Sequence, residues 1–378
     1  MGQSIRVAAL QTLGFRNLAA GALDLGEGIT LLWGPNGAGK TNVLESICLA
    51  LSGRSSRTRN ERETIAFGER LTRIEAEVMD GSGKTRTFLW SLERSGERRH
   101  LVDGSPATAE HAELRPSMAI FLPDRLALVK GPPTLRRAHL DRLCAALWPA
   151  RAESRRRYGR ALAQRNALLG RIRSGTASVD SLAAWERELA TVGLELIASR
   201  REAVDLLAPG FTEAAAELCL PGAASLRYLP RSAAADPEEL AAELRERRNT
   251  DLARGYTSHG PHLDELALEL AARPLRRYGS QGEQRAAVLA LLFAERRALL
   301  EAGRNPPLML LDDVMSELDA HRRAQLGGRL AEGGQAVLTA TEPDHLPGGC
   351  ERAEVALRRG EAISAPGDAR VLAAQADG

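Results

Sequence analysis

Two short segments near opposite ends of the chain constrain its fold more than any other feature. The first, Gly34-Pro-Asn-Gly-Ala-Gly39-Lys40-Thr41, matches the pattern GxxxxGK[ST]. It follows the apolar run Ile29-Thr-Leu-Leu-Trp33, which reads as a strand. It precedes Val43, Leu44, Ile47 and Leu51, whose spacing reads as a helix. In that context glycines let backbone N–H groups converge on phosphate oxygens, and the positive end of the helix points at them. Gly34, Pro35, Asn36, Gly37, Ala38, Gly39, Lys40, Thr41 and Asn42 are therefore candidate nucleotide-binding residues. Lys40 is placed to reach the β- and γ-phosphates and the Thr41 hydroxyl to bind Mg²⁺. Lysine occurs in this chain only as Lys40, Lys84 and Lys130, so a chance match is rare. The second segment, Leu308-Met-Leu-Leu-Asp312-Asp313, is an apolar strand ending in two acids. Asp312 is the metal candidate. Asp313 stands where a carboxylate can activate an attacking water, and with Lys40 it is the candidate catalytic residue. Lys40 and Asp312 must both reach one Mg²⁺-ATP, so the two ends of the chain must meet in one split domain.

Between these ends the pattern changes. Residues 5–33 and 72–102 read as strands, with a hairpin turn at Asp80-Gly81-Ser82-Gly83. From about residue 134 the period is helical. One stripe runs through Tyr158, Leu162, Arg165, Leu169 and Ile172, and another from Leu182 to Leu206. Joined at Ser174-Gly175-Thr176, they predict a short antiparallel helical hairpin that Pro209-Gly210 ends. Alternation returns over 263–270, a helix follows over 283–302, and Ala336-Val-Leu-Thr339 reads as a further strand.

Ser280-Gln281-Gly282 opens the helix that precedes the acidic strand. On its own it is a helix cap. Its place relative to Asp312 resembles the signature of ABC-type ATPases, where this helix start faces the γ-phosphate of ATP held by a second subunit. Ser280, Gln281 and Gly282 are thus candidate nucleotide contacts across a dimer. Ser316-Glu317-Leu318-Asp319 follows as a D-loop would. Thr341 stands where that class places a histidine, with His345 nearby. The fold class expected is α/β: an ABC-type ATPase head, a split P-loop domain with a mixed sheet, plus an inserted, mainly helical lobe. Residues 1–118 and 255–360 would form the head, with the P-loop and acidic strands side by side, residues 119–254 the lobe and residues 361–378 a disordered tail.

With 44% hydrophobic residues the chain can bury a substantial core. A net charge of only +2 means that any nucleic-acid site is a local patch. Three arginine groups are candidate DNA contacts: Arg54, Arg57, Arg59 and Arg62; Arg136 and Arg137; and the stretch 151–173, which includes Arg155, Arg156 and Arg157. The last is the most one-sided, with eight arginines and one glutamate, and is the preferred phosphate-contact surface. Aromatics make up only 4%, which favours tracking of a duplex backbone over a base-stacking platform. Cys48, Cys144, Cys219 and Cys350 lie far apart, as expected of reduced buried thiols rather than a disulfide framework or zinc site. No signal peptide or apolar span is evident, so a cytoplasmic protein with no membrane partner is expected.

Leu13-Gly-Phe15-Arg16-Asn17-Leu18, Gly39-Lys-Thr-Asn-Val-Leu-Glu45 and Ser56-Arg57-Thr58 together resemble the RecF family. So do Phe121-Leu-Pro123-Asp124 through Lys130-Gly131, Arg136-Arg137 with Leu140-Asp141, Gly260-Pro261-His262, Ser280-Gln-Gly282, and Leu311-Asp-Asp-Val314 with Ser316-Glu-Leu-Asp319. The match runs from about residue 10 to 345 in the family's motif order. It departs from the family pattern at Arg125, Leu263 and Glu283. The resemblance implies a recombination mediator: a weak DNA-associated ATPase that binds ATP with Mg²⁺ and forms an ATP-dependent homodimer. It further implies binding to double-stranded and gapped or junction DNA, and action with RecR and RecO in loading RecA. Other SMC-like or transporter-type ABC subunits are the alternative. The former need long coiled coils, and the latter lack the Phe-Arg-Asn and Gly-Pro-His segments.

Overall fold

The computed structural model describes residues 5–108, 111, 114–122, 126–316, 318, 320–345 and 352–364. The chain divides into two compact units, Met1–Arg125 with Asn305–Gly378, and Leu126–Arg304.

The first unit holds two sheets. One is antiparallel, in the order β2-β1-β4-β5-β6-β7. Its strands are β1 (Arg6–Leu13), β2 (Gly21–Asp24), β4 (Leu71–Met79), β5 (Thr85–Glu93), β6 (Arg98–Val102) and β7 (Ser105–Pro106). β4 shows why it forms: Thr72, Ile74, Ala76 and Val78 are buried and alternate with solvent-facing residues, the period of a sheet with one wet face. The other sheet has the order β15-β14-β3-β13-β12-β8. Its strands are β3 (Ile29–Trp33), β8 (Met118–Phe121), β12 (Leu308–Leu311), β13 (Ala336–Ala340), β14 (Arg352–Arg358) and β15 (Glu361–Ser364). All are parallel to their neighbours except the edge strand β15. β12 and β13 are buried along their whole length, as strands covered on both faces must be. Helix α1 (Lys40–Ser52) sends Val43, Leu44, Ile47 and Leu51 into one core with Ile74, Phe88 and Trp90 of the antiparallel sheet. Gln335, just before β13, ties the chain ends together. Its amide donates to the carbonyls of Val7 (2.7 Å) and Gly26 (2.8 Å) and accepts from the Val7 N–H (2.8 Å).

The second unit is mainly helical: α2 (Ala127–Lys130), α3 (Pro133–Leu147), α4 (Ala152–Arg173), α5 (Leu182–Glu217), α6 (Pro237–Glu246), α7 (Arg248–Arg254), α8 (Leu275–Tyr278) and α9 (Gln281–Glu301). A three-stranded antiparallel sheet accompanies them: β9 (Ala224–Leu229), β10 (Glu265–Leu270) and β11 (Arg273–Pro274). Helix α10 (Ala320–Ala331) belongs to the first unit. Among the described residues no helix is long and apolar enough to cross a membrane.

Five expectations are corrected. The P-loop and acidic strands are not neighbours, because the fully buried β13 pairs in parallel with both β3 and β12 and lies between them. Residues 255–304 group with the helical unit, since β10 pairs with β9 and α9 packs on α5, while β8 leaves the lobe to pair with β12. Pro209 does not end the helical hairpin. α5 continues to Glu217, because Phe211, Ala214 and Ala215 are buried and a Cβ on Gly210 would touch Ala294 of α9 at 3.4 Å, so packing outweighs the lost N–H. Residues 361–364 form β15 rather than a tail; residues 365–378 lie outside the described residues. Of the cysteines, none of Cys48, Cys144 and Cys219 is in a disulfide; Cys48 and Cys144 are buried, but Cys219 is exposed, in a turn past the end of α5, and Cys350 lies outside the described residues.

Candidate nucleotide-binding site

The strand β3 delivers the chain into the glycine loop, and the loop's shape depends on its glycines. Gly34 has φ 149° and a Cβ there would lie 2.2 Å from the Leu357 carbonyl oxygen. Gly39 has φ 101° and a Cβ there would lie 2.7 Å from Leu18 Cδ2. No L-residue fits either position without moving backbone or core. The loop is held from outside by Asn17, whose Nδ2 donates to the Gly37 carbonyl at 2.7 Å, and by the Gly360 N–H, which donates to the Ala38 carbonyl at 3.1 Å. Asn42 donates to Asn17 Oδ1 at 2.6 Å. The Gly34 and Ala38 N–H groups donate to the Ala340 and Pro35 carbonyls (3.3 and 3.2 Å), and the remaining N–H groups of the loop are left for phosphate.

Lys40 is buried at the start of α1, its ammonium donating to the carbonyls of Gly34 (2.6 Å) and Pro35 (3.0 Å). Burial lowers its pKa below the usual lysine value, and Asp313 and Asp312 oppose that shift. The Thr41 hydroxyl meets both carboxylate oxygens of Asp312 at 2.9 Å. Burial raises the Asp312 pKa above the usual carboxylate value, against the hydrogen bonds from Thr339 and Thr41. A hydroxyl and a carboxylate in contact are hard oxygen donors, the set that fits Mg²⁺ alongside substrate phosphates. Asp313 is exposed and sits in the left-handed region at φ 50°, a conformation that costs energy and recurs at functional turns.

Sequence reasoning missed Thr339. Its hydroxyl donates to Asp312 Oδ1 at 2.7 Å and accepts the Asp313 N–H at 2.9 Å, so one buried side chain orients both acids. The available signal was a hydroxyl in an otherwise apolar strand. Glu45 was also missed. It is fully buried and takes Arg16 through two bonds (2.8 and 3.0 Å), Arg57 at 3.1 Å and the Ser55 hydroxyl at 2.6 Å. Arg358 and Arg359, unforeseen as well, line an open cleft of about 490 Å³ with Pro35, Asn36, Gly37 and Ala38.

In the second unit, Ser280 caps α9 in a capping box. Its Oγ accepts the Glu283 N–H at 3.3 Å while Glu283 Oε2 accepts the Ser280 N–H at 2.7 Å. Gln281 and Gly282 are exposed at the helix start. Glu317 and Asp319 of the D-loop segment lie outside the described residues, as do Pro123, Asp124, Arg125 and the His345 side chain.

The arginine groups separate. Arg54 and Arg59 are exposed, with no side-chain partner among the described residues, while Arg57 is held by Glu45 and Asn42. Arg136 is buried. It grips Glu265 through two bonds (2.6 and 2.8 Å) and donates to the Leu128, Val129 and Gly131 carbonyls, so it is not free to meet DNA. Arg137 donates to the Asp264 carbonyl at 2.8 Å. The 151–173 stretch is less one-sided than its own sequence suggests. Arg155 pairs with Asp141, Arg156 with Glu153, Arg157 with Glu188 and Glu195, and Arg151 with Glu202. Most of those carboxylates come from α5, laid alongside.

A P-loop fed by one chain end, with its acidic strand supplied by the other, defines an ABC-type ATPase head of the kind found in SMC proteins. The family described as RecF/RecN/SMC N terminal domain matches residues 6–361. DNA replication and repair protein RecF of Deinococcus radiodurans is 40% identical over 339 residues, covering 89% of this chain and 91% of that protein. RecF of an Anaeromyxobacter species is 40% identical over 349 residues, covering 89% and 93%. The solved recombination mediator protein RecF-ATP of the RecFOR pathway superposes with a TM-score of 0.84 at 26% identity, covering 99% of each chain. An Smc head bound to the C-terminal winged-helix domain of ScpA shares the fold, with a TM-score of 0.59 at 16% identity over 95% of this chain and 98% of that one. The chain belongs to the RecF family of DNA replication and repair proteins.

Proposed function

We propose that this chain is an ATP-dependent, DNA-binding recombination mediator. It binds Mg²⁺-ATP at the P-loop, dimerises head to tail around the nucleotide, hydrolyses it slowly, and supports RecA loading at gapped or junction DNA together with RecR and RecO. The observation that carries the reading is the contact of Thr41 with Asp312, 2.9 Å apart although they come from opposite ends of the sequence. Thr41 and Asp312 would hold Mg²⁺, which when bound neutralises phosphate charge. The chain's own groups do the rest. The loop N–H groups and Lys40 bind and orient the triphosphate, Thr339 fixes both acids, and Asp313 positions or deprotonates the attacking water. Ser280 and the N–H groups after it, from a second copy, close the site on the γ-phosphate. ADP lacks the phosphate that both copies grip, so hydrolysis releases the pair. Arg54 and Arg59 replace the 151–173 stretch as the preferred phosphate contacts of DNA, ahead also of Arg136 and Arg137. The test is binding of gapped DNA with ATP, ADP or no nucleotide across a salt series. ATP alone should give tight binding that falls steeply with salt. Equal binding in all three states would overturn the reading.

A further inference from the structure

The antiparallel sheet of the first unit carries an unusual projection. Phe67 is fully exposed at 104%, in the loop between the short 3₁₀ turn Glu61–Thr64 and β4. That loop is braced on several sides. Ile65 is buried and bridges to Phe15, and the Ala66 N–H donates to the Gly14 carbonyl at 2.8 Å. The Glu69 N–H closes a turn on the Ala66 carbonyl at 3.1 Å, with Gly68 left-handed at φ 88°. Arg94, at the β5–β6 turn, clamps the turn by donating from one guanidinium to both the Ala66 and Glu69 carbonyls, while its N–H donates to the Arg70 carbonyl. A clamp of this kind holds an aromatic ring out in water, and nothing in the fold of this unit requires the ring there.

The segment before and after the loop is rich in arginine. Arg62 reaches the same β5–β6 turn, donating to the Ser95 carbonyl at 3.5 Å, and Arg70 flanks the loop directly. Neither has a carboxylate partner among the described residues, nor do Arg54 and Arg59 earlier in the same segment. Glu61 pairs with Arg98, while Glu63, which accepts from the Thr58 hydroxyl, Glu69 and Glu93 keep their negative charge in the same region. Leu13 and Leu71, both partly exposed, adjoin at Gly14.

We propose that Phe67 stacks on the terminal base pair where duplex DNA gives way to a single-stranded gap, with Arg62 and Arg70 on the flanking phosphates. A duplex end is a flat apolar face ringed by anions, and this region offers groups that can meet one: a fully exposed aromatic on a braced loop, exposed Leu13 and Leu71 at the adjoining strand ends, and Arg62 and Arg70 in the same segment. A protein partner needs a broader apolar area than three side chains provide. Because the loop backbone is already braced, stacking orders the ring's rotamers and little else. The inference rests on the DNA-binding reading above and adds a basis for choosing gaps over continuous duplex.

The test uses the full chain with ATP and gapped DNA carrying 2-aminopurine at the duplex terminus, against the same fluorophore inside an intact duplex. Binding should change emission at the terminus only. Phe67→Ala should abolish that change and lower the preference for gapped over intact DNA about ten-fold, leaving intact-duplex and ATP binding unaltered. Phe67→Trp should keep both signals. If Phe67→Ala retains the preference and the emission change, or weakens gapped and intact DNA equally, the inference is overturned. It also fails if Phe67→Ala alters self-association while gap preference stays. Failure of the unsubstituted chain to bind any DNA would overturn the underlying reading as well.

Discussion

The glycine loop with α1 and the arginine-rich helix α4 both attract attention as places for phosphate, and they turn out to be built on opposite principles. α4 is far the more basic, yet Arg155, Arg156, Arg157, Arg160 and Arg165 are answered by carboxylates. Glu188, Glu195 and Glu202 of α5 lie along it, Asp141 of α3 holds Arg155, and Arg165 is fully buried between Glu186 and Asp251. The loop has one lysine, and that lysine touches only carbonyls, with two acids nearby that a metal ion can neutralise. Counting cations along one helix measures a property of the segment. Whether they face solvent phosphate or a neighbour's carboxylate is decided by the packing of a second helix.

The comparison can be broken most forcefully at Arg165. If the α4 arginines serve structure, Arg165→Ala leaves Asp251 buried without its counter-ion, while Glu186 keeps only Arg248. It should cost about 3–5 kcal/mol of stability, read as a lowered urea midpoint. A midpoint unchanged from the unsubstituted protein would show that the network is dispensable. On the loop side, Thr339→Val removes the hydroxyl that orients both acids. Turnover should fall about ten-fold while ATP affinity changes little, because a misaligned acid affects the reaction more than ground-state binding. An equal loss in both would assign Thr339 to nucleotide binding instead. The smallest effect separates the arginine surfaces themselves. Replacing Arg54 and Arg59 by alanine should reduce the slope of log affinity against log salt by about 2, whereas the Arg155→Ala, Arg156→Ala, Arg157→Ala triple variant should move it less. The opposite ranking would restore α4 as the DNA surface.

How much of this was legible in the sequence follows from where each determinant lies. The phosphate loop could be read because its chemistry needs fixed residue types at fixed spacing, and the acidic strand because Asp312 closes a buried apolar run. Joining the two ends in one domain followed from the shared metal. The order of strands did not follow, since β13 enters between β3 and β12 through tertiary pairing that no local pattern records. The same holds for residues 255–304, which look like part of the head until β10 finds β9. Pro209 misled because its local cost is real but smaller than the burial of Phe211 and Ala214 beyond it. Arg136 looked available in sequence for the same reason as α4. Its partner Glu265 stands far along the chain, on a strand that only the fold brings near.

The central claim is that ATP is gripped between the P-loop of one copy and the Ser280 helix start of another. Mixing tests it most directly. Ser280→Arg and Lys40→Met proteins should each hydrolyse ATP poorly alone, one lacking the helix contact and the other the lysine. In a mixed dimer, Lys40 of the first protein meets Ser280 of the second in one intact site, so turnover should return on mixing and rise with total protein concentration. If Ser280→Arg alone hydrolyses ATP as fast as the unsubstituted chain, at a rate per chain independent of concentration, and mixing adds nothing, each chain completes its own site and the account is wrong.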